Sequence, residues 1–293
     1  MMHVYSCRSG AESMTDAKVP ADYYLGYSDL EAERLIRQAK RLAPTTEHFF
    51  REAGIEAGQR VLDVGSGMGD VALLLGRLVS PHGAVVGIDR DAHSLERARR
   101  RALEAGMSHV RFVEAELAEF STDERFDAVV GRYVLQFLPD PVSVLRSVSS
   151  AVKPGGIIAF QENSFAPFVA LSAHLPLWSS CVNLLHETAK YHGVNVEMGP
   201  GLHRAYQEAG LPIPQMRLWM ELGYEPEYTS LLSDAIKAVL PQIERAGFPT
   251  DALGDIATLQ ERLHEEVTRS NTVVPWIALG GAWCRKPPTN SHH

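Results

Sequence analysis

The decapeptide Val61-Leu62-Asp63-Val64-Gly65-Ser66-Gly67-Met68-Gly69-Asp70 carries the chemistry of this chain in its spacing. An apolar run leads into glycines at alternate positions, and a helical pattern, Val71 to Leu75, follows at once. Glycine is needed where the backbone takes positive φ or where a ligand must come close to it. A strand, a tight turn and a helix in that order open a nucleotide-binding α/β unit. The dinucleotide fingerprint runs G-x-G-x-x-G. Here the glycines run G-x-G-x-G, and an acid, Asp63, stands two residues before the first. Ala84 to Asp89 reads as the next strand, ending in a carboxylate 20 residues after Gly69. A carboxylate at that place accepts the ribose hydroxyls of an adenosine.

The turn, with its leading acid, resembles motif I of the class I S-adenosylmethionine (SAM) dependent methyltransferases. Two later blocks extend the resemblance. One is Arg111-Phe112-Val113-Glu114-Ala115-Glu116-Leu117; the other runs from Phe126 to Pro141 and is followed by a Lys153-Pro154-Gly155-Gly156 turn. These are similar to the small-molecule, quinone-biosynthesis type of the family, and the likeness covers roughly residues 23–222. It implies S-adenosyl-L-methionine as cofactor. Asp63, Gly65, Ser66 and Gly67 would hold it at the turn, Asp89 and Arg90 at the ribose, and Ala115, Glu116 and Leu117 near the adenine. Arg132 would lie against the methionine part, with Tyr133 and Phe137 beside it. Tyr24, in the run Tyr23-Tyr24-Leu25-Gly26-Tyr27, and Gln38 resemble a lid over the cofactor. Glu116 stands where the family more often has Asp, and Gln136 where many relatives have His.

Methyl transfer from a sulfonium is an in-line displacement, so the resemblance asks mainly for positioning. A base is needed only if the acceptor must lose a proton. Glu162, at the end of the fifth strand, and His186 are the candidate catalytic groups; His174, His192 and His203 are weaker ones. For Glu162 capping, and for the histidines a packed or surface position, is the commoner role. No Asn-Pro-Pro-Tyr-like tetrapeptide follows the fourth strand, where the residues are Gly131-Arg132-Tyr133-Val134. With a net charge of -8, this disfavours nucleic acid as a partner and leaves a small-molecule acceptor.

The elements that must position these residues alternate. Strands are expected near 60–64, 84–88, 110–114, 126–130 and 156–161, and helices near 69–79, 91–105 and 140–152. That rhythm predicts a doubly wound, mostly parallel α/β sheet of seven strands. Residues 1–22 are expected to be a disordered N-terminus, and 23–58 lid helices, the first opened by a Ser28-to-Glu31 capping box and the second by Pro44. The core runs over 59–164, a cap insertion over 165–200 with one long helix, more core over 201–224, a second insertion over 225–270 and a last strand over 271–286. The run Arg97, Arg99, Arg100 and Arg101 reads as a solvated helix face.

Three scattered cysteines form no metal or disulfide pattern, which suits a cytoplasmic setting. No stretch has the roughly 18 apolar residues of a membrane span. A homodimer is left open. Two rival readings remain on this fold: a SAM-binding protein without methyl transfer, and a nicotinamide-dependent oxidoreductase.

Overall fold

The structure, a computed structural model, describes residues 29–288, with side chains from residue 34. The expected disordered N-terminus, Tyr24 with its aromatic run, and the capping box beginning at Ser28 lie outside the described residues.

Nine strands and nine α-helices are described. Seven strands form one sheet: β1 (Arg60–Val64), β2 (Ala84–Asp89), β3 (Val110–Glu114), β4 (Phe126–Arg132), β5 (Val152–Ser164), β6 (Gln215–Trp219) and β9 (Ala278–Arg285). Their order is β3-β2-β1-β4-β5-β9-β6. The pairs among β1 to β5 are parallel, while β9 runs antiparallel between β5 and β6. This is the doubly wound, mostly parallel seven-stranded sheet expected from the alternation of strands and helices. A separate ribbon pairs β7 (Leu222–Gly223) with β8 (Val274–Pro275). The single last strand expected from residue 271 is thus interrupted. Pro275 has no amide to give to a ladder, and the Trp276 amide donates to Glu221 O at 3.1 Å instead.

Side-chain parity divides the sheet into two faces. Val61, Val85, Val130, Ile157 and Ala159 face a core shared with α1 (Asp29–Ala53), α2 (Asp70–Val79) and α3 (Ala92–Glu104). Leu62, Val86, Val129, Ile158 and Phe160 face a second core closed by α4 (Pro141–Ser150) and α7 (Met198–Glu208). A third core lies among α5 (Ala166–Ser172), α6 (Pro176–Tyr191), α8 (Pro226–Ala246) and α9 (Leu259–Arg269), with Trp178 and Phe168 fully buried at its heart.

Two helical expectations change. Pro44 lies inside one continuous helix, α1, rather than opening a second. Proline there removes an intrahelical bond, but packing holds the helix on both sides of it, through Ala39 and Leu42 before and Phe49 and Phe50 after. The long helix expected over 165–196 is two, α5 and α6. Pro176 stands at the first turn of α6, and Glu266 of α9 accepts the next two amides, Leu177 and Trp178, each at 2.8 Å. No described helix is long and apolar enough to cross a membrane.

Candidate active site

The glycine turn joins β1 to α2 at the carboxyl edge of the sheet, where open α/β folds bind ligands. Gly65, Gly67 and Gly69 take φ values of 65°, 48° and 83°, the left-handed region that their lack of Cβ permits. At Gly65 a Cβ would come 2.5 Å from Val134 Cγ2, so the strap after β4 presses on the turn. At Gly67 a Cβ would meet nothing within 4 Å, so this side of the turn is open to an approaching group. The Ser66 amide donates to Ile88 O at 2.9 Å. Asp89 clasps the turn from the end of β2: its Oδ2 accepts the Gly67 amide at 2.8 Å and its Oδ1 the Asp91 amide at 2.9 Å. Arg90 follows it at the surface.

Two polar atoms at the turn are buried without partners, Asp63 Oδ2 and Ser66 Oγ. Asp63 is 1% exposed. Burial pushes its carboxyl well above the usual range, against the pull of the Arg132 guanidinium. A buried polar group without a partner is costly, which makes these two oxygens candidate ligand contacts.

Arg132 ends β4 and donates from Nη1 to Thr46 Oγ1 of α1 at 3.0 Å. Burial lowers its pKa, while Asp70, Tyr133 and Asp63 favour its charge. Tyr133 takes a φ of 58°, uncommon for a non-glycine residue. Its amide donates to Gln161 O at 2.9 Å, and burial raises its phenol.

Glu162 is fully buried. Its Oε1 accepts the amides of Val134 at 3.1 Å and Leu135 at 2.9 Å, and its Oε2 that of Gln136 at 3.3 Å. Burial pushes its carboxyl up to about 8, against those three donors. The carboxyl expected as a base is thus engaged by three amides of the strap. It fixes a strap whose Leu135 lies in the second core and whose Phe137 packs on the third.

The third sequence block is close by. The Ala115 amide donates to Asp89 O at 2.9 Å, Leu117 is buried in the second core and Glu116 is exposed. Gln38, expected over the cofactor, accepts from Arg34 at 2.8 Å and lines a groove with Leu231 and Trp276. The unbroken α1 sets its phase, turning the stripe of Arg34, Gln38 and Arg41 toward α8. His186 half-buries its ring 5.7 Å from Phe165, and its Nδ1 is 3.0 Å from Glu187 Oε1. Among the described residues it has no hydrogen bond to the turn or to the strap.

The sequence reading missed a brace. Arg101, placed on a solvated face, instead donates to Met68 O at 2.6 Å and to Asp70 Oδ1 at 2.7 Å, gripping the turn from α3. Arg99 likewise donates to Phe112 O at 3.1 Å. The Arg101 partners lie more than thirty residues upstream, so helical periodicity gives no hint of them.

Residues 55–209 match the methyltransferase domain family, and the chain belongs to it. A ubiquinone biosynthesis O-methyltransferase of Albidiferax ferrireducens is 33% identical over 141 residues, 47% of this chain and 54% of that protein. The ubiquinone/menaquinone biosynthesis C-methyltransferase UbiE of Pseudomonas fluorescens is 31% identical over 158 residues, 50% of this chain and 62% of that protein. The chain thus spans little more than half the length of the curated relatives it matches. The YcgJ protein of Bacillus subtilis shares the fold, with a TM-score of 0.53, 18% identity and coverage of 85% of this chain and 99% of that one.

Proposed function

We propose that this protein transfers a methyl group from S-adenosyl-L-methionine to a small, partly apolar acceptor. The observation that carries the reading is the pair of buried, unpartnered oxygens, Asp63 Oδ2 and Ser66 Oγ, on a turn left open at Gly67. A carboxylate there suits the ammonium of the cofactor's methionine part, and Arg132 suits its carboxylate. Asp89 has lone pairs left for the ribose hydroxyls, with Arg90 beside it. Ala115 and Leu117 offer an apolar seat for the adenine, with Glu116 at its rim. Bound there, SAM would supply an electrophilic methyl on sulfur.

The chain's own contribution is geometry. Glu162 presets the strap that carries Tyr133 and Phe137, and positioning alone supplies roughly 7–11 kcal/mol of a barrier. With three amides on its carboxylate, Glu162 acts as a positioning residue. His186 remains the cap's candidate base for an acceptor that must lose a proton. The relatives are methyltransferases of ubiquinone and menaquinone biosynthesis, which suits a partly apolar acceptor. A cytoplasmic setting and no nucleic-acid partner complete the proposal, and the acidic charge of -8 supports the second of these.

Calorimetry with SAM, S-adenosylhomocysteine and NADH in parallel tests it. Micromolar binding of the first two and none of NADH is expected. Binding of NADH alone would replace methyl transfer with hydride chemistry. Binding of SAM with no S-adenosylhomocysteine formed across an acceptor panel would leave a SAM-binding protein.

A further inference from the structure

Three neighbouring strands each bring one polar side chain to the same face of the sheet, at its carboxyl edge. Val61, Val130 and Ala159 face the core shared with α1. Side chains two residues further on point the same way. These are Asp63 of β1, Arg132 of β4 and Gln161 of β5. Arg132 and Gln161 are register partners, about 4.8 Å apart across the ladder. The Tyr133 amide donates to Gln161 O at 2.9 Å, and the Arg132 bond to Thr46 places the row beneath α1.

Gln161 is the member of the row that the fold does not explain. It is fully buried, and among the described residues neither its amide nitrogen nor its amide oxygen has a hydrogen-bond partner. A buried amide left bare costs stability, and an apolar chain of like shape would fill the space without that cost. On one side its register partner is Gly281 of β9. A Cβ at Gly281 would come 2.7 Å from Phe49 and 2.8 Å from Trp219, so aromatic rings close over that side. On the other side stands Arg132, and beyond it Asp63, whose Oδ2 is likewise buried without a partner among the described residues.

The row reads carboxylate, guanidinium, amide, a set complementary to a zwitterion. A guanidinium and an amide NH2 both donate to a carboxylate. A carboxylate and an amide oxygen both accept from an ammonium. The small group that carries both charges on adjacent carbons is an α-amino acid. We propose that Gln161 is a binding residue for the amino-acid end of the cofactor, donating to its carboxylate beside Arg132. This rests on the methyl-transfer reading. It adds to that reading the residue that tells a nucleoside with an amino-acid tail from one without.

The test uses the full chain with S-adenosylhomocysteine and 5′-methylthioadenosine as probes. The second keeps the adenosine and the sulfur but lacks the amino-acid end. Gln161→Met keeps the length of the side chain and removes its amide. Calorimetry should show the S-adenosylhomocysteine Kd raised at least tenfold and the 5′-methylthioadenosine Kd raised less than twofold. The melting temperature without ligand should hold or rise, because a bare buried amide has gone. A lowered melting temperature would mean that the amide serves the fold, and it overturns the proposal. Equal effects on the two ligands, or an unchanged S-adenosylhomocysteine Kd, overturn it as well and leave the methyl-transfer reading standing. A wild type that binds neither nucleoside overturns that reading, and this inference with it.

Discussion

Asp89 Oδ2 accepts the amide of Gly67 at 2.8 Å, tying the end of β2 to the middle of the glycine turn. The same carboxylate accepts the amide of Asp91, whose side chain in turn caps α3 through Ser94. The shape of the turn is therefore fixed by the chain's own hydrogen bonds, and one carboxylate is both its clasp and its candidate ribose contact.

Replacing that clasp tests both roles together. Asp89→Ala leaves two amides without their acceptor and removes the ribose partner, a cost of about 1–3 kcal/mol. The Kd for S-adenosylhomocysteine, read by calorimetry, should rise by roughly 5- to 150-fold. An unchanged affinity would take Asp89 out of the site.

The two glycines flanking Ser66 should respond differently. At Gly65, alanine would drive Cβ to 2.5 Å from Val134, so Gly65→Ala should lower both the melting temperature and cofactor affinity. At Gly67 the new methyl meets nothing within 4 Å in the protein. Left-handed backbone still costs roughly 1–2 kcal/mol for alanine. Gly67→Ala should therefore lose more in binding than Gly65→Ala for the same loss of stability. Thermal unfolding measured beside calorimetry reads the contrast, and parallel losses in the two variants would contradict it.

Glu162 predicts a pH dependence. Its carboxyl is raised from 4.5 in the unfolded reference to about 8 in the fold. Between those values the native state holds a proton that the unfolded chain has released. Stability from this group is thus full below about pH 4.5 and falls as pH rises toward 8. Glu162→Gln keeps an acceptor for the strap and cannot ionise. Its urea midpoint should gain on the wild type between pH 5 and pH 8; a gap that stays constant over this range would show that Glu162 is already ionised.

The legible parts of the molecule were the local ones. The turn, the carboxylate ending β2 and the doubly wound sheet follow from residues adjacent in sequence or from a rhythm that admits few topologies. What escaped depends on partners far along the chain. Glu162 finds its three amides 26 to 28 residues upstream, and Arg101 its turn 31 to 33 residues upstream. Pro44 is a helix breaker by local rule and is overruled by the packing of Phe49 and Phe50. The phase of Gln38 could be read only once α1 was known to be unbroken. The cap helices carry ordinary amphipathic patterns, so nothing in them announced which face would meet α1.

The cap's hydrophobic residues form a core separate from the two on either face of the sheet, and the strap reaches it through Phe137. A roof with its own apolar contacts can open locally while the packing on the sheet stays closed. Its lining can drift, or be exchanged wholesale by recombination, without touching the packing under Gly65 to Gly69. On the proposed function, selection on what the protein modifies and selection on what it modifies with would act on different pieces of the same chain.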